Sequence, residues 1–394
     1  MITRFQDTLK SRGMKKMLKR KKRNNHERII LAMLRNNGSM TKYDLADNMN
    51  ISIPTVTANV NRLLKEGVIE EIGVADVEYG RKPMLIDINY NQYFSIGIDI
   101  QEHSIYYCLM NLKLELIVEG TADHTKKGLH EDIKQIVQTL LESYALKNEN
   151  IMSIGVSYPG FVEEEKLQLK KGPNINISNI SLEDLKNELG INIYVGNEAR
   201  LAAFAESVIG VSKEYKNSIY ISIKEGIGAG VILDKRYYIG SSESAGEIGH
   251  MVVKKDGKLC NCGNRGCIEP YLSINSLIES FNKVSHQRVN NLDELFTIYD
   301  ERILEQKCVI KEYLEYLAVL INNAFLIFDP DCLIIGGKMS EYQEKIEPFF
   351  KEIMTQYSCG MLKTDRKIEF SVLGYKASKY GAALRGFEET MKLT

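Results

Sequence analysis

Between Ala245 and Glu269 the chain concentrates residues able to hold a metal and to meet a small polar ligand. Twenty-five positions carry His250, Cys260, Cys262 and Cys267, the carboxylates Glu247, Asp256 and Glu269, and five glycines. Three thiolates and one imidazole make a full tetrahedral ligand set for Zn2+. The Cys-x-Cys and Cys-x4-Cys spacings let one irregular loop wrap the ion, with glycines at its positive-φ corners. Four protein ligands leave no position open for catalysis, so the expected zinc is structural. The bland alternative is a loop of free thiols. Glu247 and Glu269 flank the knot, which reads as a clamp fixing a small-molecule pocket.

The elements that must carry this knot belong to a chain of 394 residues, enough for two or three domains, each with a core. Apolar residues make up 44% and charged residues 26%, the balance of a soluble globular protein. Seven cysteines, three of them clustered, fit a reducing cytoplasm and one metal site better than a disulfide framework. No apolar run reaches the roughly 20 residues of a membrane span, and no apolar segment follows the N-terminal charges as in a secretory signal. The expectation is a cytoplasmic protein. Net charge is −1, yet residues 1–35 carry twelve Lys/Arg against Asp7 and Glu27. That asymmetry points to nucleic acid or another anionic surface, with a solvated tail as the alternative.

Residues 1–88 read as a DNA-binding domain with a basic N-terminal extension. Ile29, Ile30, Met33 and Leu34 recur at helical spacing, and Asn37-Gly38 ends that helix. Thr41 caps a second helix with Asp44 three residues on. Ser52 caps a third, with Pro54 in its first turn and Val56, Val60, Leu63 and Leu64 inward. Two such helices joined by a short turn read as helix-turn-helix. The outer face of the third shows Thr55, Thr57, Ala58, Asn61 and Arg62, small or polar groups able to approach bases and phosphates. Val68–Ile72 and Met84–Ile88 read as the strands of a wing, with Arg81 and Lys82 at a tip suited to a minor groove. A small helical interaction domain is the alternative reading.

After the polar Asn89–Gln92 junction, residues 93–394 show two successive units of hairpin strands and crossover helices. The strands include 93–100, 105–110, 114–118 and 151–157 in the first unit. The second begins at Asn217–Ile223, followed by a glycine turn over Gly226–Gly230. Ser181 is expected to cap a helix at Leu182–Leu189, and Pro348 to sit in the first turn of a helix at Ile346–Gln356. This is a duplicated α/β architecture with a cleft between lobes. Lobe 1 covers about residues 93–198 plus the C-terminal helix, and lobe 2 about 199–378.

The Gly246-Glu247-Ile248-Gly249-His250 stretch and the Cys260-x-Cys-Gly-Asn-x-Gly-Cys267 run, on this architecture, resemble the ROK family of repressors and sugar kinases, a branch of the actin-like ATPase fold. The resemblance spans residues 25–391. Within the family, the winged helix and the wording around Asn197 resemble the xylose-repressor branch. It implies a sugar pocket made by Asn197, Glu198, Glu247, His250 and Glu269, with Gly160 at the rim. It also implies that His250 binds the metal through one ring nitrogen and faces the sugar with the other. Asn197 as a helix cap and Glu269 as a helix-start charge are the structural alternatives. Arg residues that related repressors carry near Ile53 and Ala58 are absent, which leaves more of the recognition to phosphate and shape.

The same resemblance separates sensor from kinase at three places. The catalytic base of the family's kinases is Asp; Glu198 stands there, with its carboxylate displaced by one methylene, and misplacement of about 1 Å can cost ~100-fold in rate. The first phosphate loop reads Asp99-Ile100-Gln101-Glu102-His103, without the phosphate-cradling glycines. The second begins Lys224-Glu225 where the kinases have Gly-Thr. A carboxylate in each loop repels ATP. The expected function is therefore a non-enzymatic, sugar-responsive repressor, a homodimer or tetramer acting on operator DNA. The alternatives are an active sugar kinase with a DNA-binding head, and a regulator controlled by a protein partner.

Overall fold

The computed structural model describes residues 24–76, 82–125, 128–170, 172, 179–357 and 366–391. It opens with α1 (Asn25–Asn37), β1 (Met40–Thr41), α2 (Lys42–Met49) and α3 (Ile53–Lys65). Capping boxes start α1, at Asn24 with Glu27, and α2, at Thr41 with Asp44, each satisfying two end N–H groups reciprocally. At α3, Pro54 is in the first turn, but Ser52 makes no cap bond with its side chain; its Oγ lies 2.8 Å from Thr55 Oγ1 instead. The buried face of α1 is Ile30, Leu31 and Leu34, whereas Ile29, expected inside, is exposed. The wing is β2 (Ile69–Val74) against β3 (Met84–Ile88), and β1 adds a third strand on the other side of β3. A two-residue strand carries no periodicity to read.

The junction at 89–92 is packed. The Asn89 N–H donates to the Val68 carbonyl at 2.9 Å, and Asn150 Nδ2 to the Gln92 carbonyl at 3.0 Å. Tyr93 Oη donates to the Glu66 carbonyl at 2.9 Å. Through Tyr90 and Tyr93 the apolar core of the winged helix continues into the core around the C-terminal helix.

The larger part is built twice on one plan. Its first half is β4 (Phe94–Ile100), β5 (Ser104–Asn111), β6 (Leu116–Asp123), α4 (Leu129–Ser143) and β7 (Ile151–Tyr158), then the short β8 (Val162–Glu163), β9 (Gln168–Leu169) and β10 (Ile180–Ser181), then α5 (Glu183–Leu189), β11 (Asn192–Asn197) and α6 (Glu198–Ile209). Its second half is β12 (Ser218–Ile223), β13 (Ile227–Leu233), β14 (Arg236–Tyr238), α7 (Glu269–Leu272), α8 (Ile274–Asn282), α9 (Leu292–Ile298), α10 (Leu304–Phe328), β15 (Cys332–Gly337), α11 (Gln343–Gln356), β16 (Lys367–Phe370) and α12 (Ala377–Met391). The sheets run β6-β5-β4-β7-β11 and β14-β13-β12-β15-β16. In each, the first three strands are antiparallel and the last two join in parallel.

β4 and β7 are buried along their whole length, as strands covered on both faces must be. One face packs α4; the other packs α12. α12 presses its backbone onto the sheet because Gly97 and Gly155 have no side chain there. A Cβ at Gly97 would lie 2.0 Å from the Lys379 carbonyl oxygen, and one at Gly155 1.8 Å from that of Ala382.

Three local expectations change. Gly228 and Gly230 lie inside β13, and the turn is confined to about Lys224–Gly226; a Cβ at Gly230 would meet the Ala199 carbonyl oxygen at 2.4 Å, so packing against α6 explains that glycine. The N-cap of α5 is Leu182, although Ser181 Oγ still accepts from the Glu183 N–H at 3.3 Å. Pro348 is the sixth residue of α11, because a 3₁₀ turn over Lys338–Tyr342 runs straight into the helix and starts it earlier. Among the described residues no helix is long and apolar enough to cross a membrane.

Candidate functional site

A cleft of about 880 Å³ opens between the two sheets. Gly160, Asn197, Glu198, Glu247, His250 and Glu269 all line it. Their positions follow from chain ends: Gly160 follows β7, Asn197 ends β11, Glu198 starts α6, and Glu269 starts α7. Asn197 does cap its helix, accepting at Oδ1 from the N–H groups of Ala199 (3.0 Å) and Arg200 (3.3 Å). Its Nδ2 donates to the Gly160 carbonyl at 3.2 Å, which ties the rim to the cap. Glu269 likewise has a structural bond, accepting from the Ile227 N–H at 3.1 Å. Both structural alternatives are thus present, and both side chains still border the cleft.

His250, Cys260, Cys262 and Cys267 bring four ligand atoms within 4.8 Å of one another. His250 Nδ1 is 3.6 Å from Cys260 Sγ, and Cys262 Sγ is 3.7 Å from Cys267 Sγ. Tetrahedral ligands with metal–sulfur bonds near 2.3 Å stand about 3.7 Å apart, so the set fits a metal ion. The loop reaches this shape through positive φ at Gly263 (93°) and Gly266 (81°). At Gly266 a Cβ would collide with the Lys254 carbonyl oxygen at 1.7 Å. With Nδ1 turned to the thiols, His250 Nε2 lies 3.9 Å from Glu247 Oε2. Burial pushes the Glu247 carboxyl above its ordinary range.

Sequence reasoning missed the arrangement on the cleft floor. Lys224 Nζ lies 2.8 Å from Glu198 Oε1. Ser222 Oγ donates to the same carboxylate at 3.2 Å. Asp99, 2% exposed, accepts from Ser157 Oγ at 2.5 Å and Gln101 Nε2 at 2.6 Å. Burial raises the Asp99 carboxyl while Lys224 pulls it back. The Glu198 carboxylate is therefore already held in an ion pair. The only sequence signal was the unusual Lys-Glu pair at 224–225.

On the winged helix, Ala58, Asn61 and Arg62 are exposed and Thr55 and Thr57 half-buried. Arg62 is partly committed inward: its Nε lies 3.1 Å from Glu27, and its Nη2 donates to Asn59 Oδ1 at 2.5 Å. Asn59, unnoticed in the sequence, is buried and also holds Asn24 at 2.9 Å. Lys82 pairs with Asp76 at 3.0 Å, and both are exposed. Arg81 and the basic run before residue 24 lie outside the described residues.

The ROK family model matches residues 95–385, and a winged helix-turn-helix DNA-binding model matches residues 23–70. The chain is similar to a xylose repressor of Caldicellulosiruptor bescii, with 28% identity over 90% of this chain and 93% of that protein. It is similar to the DNA-binding transcriptional dual regulator NagC of Escherichia coli strain K12, with 26% identity over 86% of this chain and 87% of that protein. In three dimensions it resembles a ROK family transcriptional regulator described as a homologue of the E. coli MLC protein. The TM-score is 0.80 at 23% identity, covering 94% of this chain and 96% of that one.

Proposed function

The chain belongs to the ROK family, and from that premise we propose that it is a sugar-responsive transcriptional repressor of carbohydrate-utilisation genes. Residues 1–88 form its DNA-binding domain and residues 93–394 its two-lobed sensor. Operator DNA meets Thr55, Thr57, Ala58 and Asn61 of α3, with Arg62, Arg81 and Lys82 against phosphate or the minor groove. The sugar lies on Asn197, Glu198, Glu247, His250 and Glu269, with Gly160 at the rim. Two of the similar proteins are a xylose repressor and NagC, so xylose is the first sugar to test. The protein works in the cytoplasm as a homodimer or tetramer.

The metal is Zn2+, held by His250 Nδ1 and the three thiolates. It is a closed structural site that ties the Gly246–His250 stretch to the start of α7, and so holds Glu247, His250 and Glu269 in one place. The chain is not a kinase. The observation carrying this is the Lys224–Glu198 contact of 2.8 Å: a base must be free to take a proton from the sugar hydroxyl, and this carboxylate is neutralised by an internal ammonium.

Sugar binding acts through differential affinity for two arrangements of the lobes, which changes the spacing of the two recognition helices on DNA half-sites. A gel shift on DNA upstream of the protein's own gene, with a panel of aldoses, tests this. One sugar is expected to release the DNA, and the same sugar with ATP to give no phosphorylated product. Sugar-independent retention across the panel would favour control by a protein partner. Turnover above background would sink the non-enzymatic reading.

A further inference from the structure

The cleft floor carries a lysine that reads at first like a phosphate ligand. Lys224 lies at the mouth of the β12–β13 turn, beside the glycines that follow it. Its backbone is fixed on both sides: its N–H donates to the Gly226 carbonyl at 3.0 Å, and its carbonyl accepts from Ile274 at 2.9 Å. So directed, its side chain leaves the second sheet and reaches one acid of the first half, Glu198 at the start of α6, while the buried Asp99 near the end of β4 acts on it through its charge. The Lys224 and Glu198 side chains are only 13% and 11% exposed, so neither exchanges its partner for bulk water. Burial alone would push the ammonium toward neutrality. Glu198 and then Asp99 outweigh burial and keep it charged.

The rest of the cleft decides what this charge is for. Seven carboxylates line it, among them Glu102 and Glu225 in the two loops that would face phosphate. Among the described residues, Lys224 and Lys338 are the only lysines or arginines lining the cleft, and Lys338 pairs with Glu341. No described lysine or arginine of the lining is left unpaired for an incoming anion. A phosphate ester would bring its charge into an excess of like charge and would have to break the Lys224–Glu198 pair to gain a partner.

We infer that Lys224 is a specificity-determining residue: it serves as a resident counter-ion for Glu198 and Asp99, so that the cleft accepts an uncharged aldose and rejects its phosphate esters. The pair holds the Glu198 carboxylate in place at the cleft wall as an acceptor for a sugar hydroxyl. Ser222 supports the same carboxylate from below. This inference rests on the sugar-sensor reading and narrows it to a ligand class.

Calorimetric titration of the full-length, zinc-loaded protein tests it. The ligands are a panel of aldopentoses and aldohexoses and the terminal phosphate ester of each. At least one free aldose is expected to bind, with its ester weaker by ~10-fold or more. Lys224→Met keeps the volume and removes the charge, leaving Glu198 buried without its counter-ion; it is expected to weaken the free aldose by ~10-fold or more. Lys224→Arg keeps the charge and is expected to retain most of the affinity. An ester that binds as tightly as its parent sugar overturns the inference, and so does a folded Lys224→Met protein of undiminished affinity. If that variant fails to fold by circular dichroism, the ester-to-sugar ratio in the unaltered protein decides alone. If only esters bind, the sensor reading stands and this inference falls; if no sugar or ester binds, both fall.

Discussion

At the scale of single residues, the metal loop and the cleft meet in His250. One ring nitrogen is 3.6 Å from Cys260 Sγ, and the other edge faces Glu247 and the cleft. On the proposed sensor reading, loss of a ligand therefore frees the ring from the position assigned to sugar contact. Cys262→Ser and Cys260→Ser are each expected to lose stoichiometric zinc and to raise the sugar concentration needed for DNA release by 10-fold or more, in line with roughly 10–100-fold effects around metal sites. Zinc content by atomic absorption, read beside the gel shift, checks this. Normal sugar response in a zinc-free variant would refute the role given to the loop. The cluster of four candidate ligands is legible because three cysteines and one histidine at short spacing have few other uses. Lys224 was not: nothing in a linear reading says that its side chain crosses a cleft to Glu198, since that depends on the register of two separate sheets.

At the scale of elements, α12 acts as the keel of the first sheet, and Glu119 of β6 is one of its fastenings. The carboxylate takes Lys376 Nζ at 2.6 Å, Lys379 Nζ at 2.7 Å and Tyr380 Oη at 2.9 Å, all from α12 or the turn before it. Burial pushes Glu119 up, but these hydrogen bonds prevail and hold it at about 2. A carboxyl depressed on folding stabilises fully above its ordinary value of 4.5 and loses that contribution as pH falls toward 2. Glu119→Gln is therefore expected to lower the melting temperature at neutral pH by a few degrees, corresponding to about 1–2 kcal/mol. The gap from the unaltered protein should narrow as pH falls below 4.5. Melting curves of both proteins across that window check it; a gap that widens on acidification would contradict the assignment. Elements with strong local chemistry were readable from sequence, as the capping boxes at Asn24 and Thr41 show. Those decided by distant packing were not. β1 exists because β3 offers an edge, and Pro348 lies inside α11 because a 3₁₀ turn runs into the helix and starts it earlier.

At the scale of the whole molecule, the proposed function requires a sugar signal to travel from the cleft to α3. The packed junction offers a physical route. Tyr93 begins the chain's entry into β4, donates to the Glu66 carbonyl at the end of α3, and packs on the core that runs from the winged helix to α12. α12 in turn lies on the strands whose ends carry the cleft residues. A rigid contact of this kind lets a change in lobe arrangement reorient the recognition helix, whereas a free linker would absorb it. Coupling between two such sites is typically 1–3 kcal/mol, equivalent to roughly 5–150-fold in affinity, and it is reciprocal. In the unaltered protein, saturating sugar is expected to weaken operator affinity within that range, and operator DNA to weaken sugar affinity by the same factor. Tyr93→Ala removes the hydrogen bond and the packing without touching α3's outer face or the cleft. It is expected to keep both separate affinities within about 3-fold while the ratio with and without the other ligand falls toward one. Fluorescence anisotropy on labelled operator, with and without sugar, measures the ratio directly. A Tyr93→Ala protein with undiminished coupling would show that the signal reaches the DNA-binding helices by another path, through the geometry of the oligomer rather than through this junction.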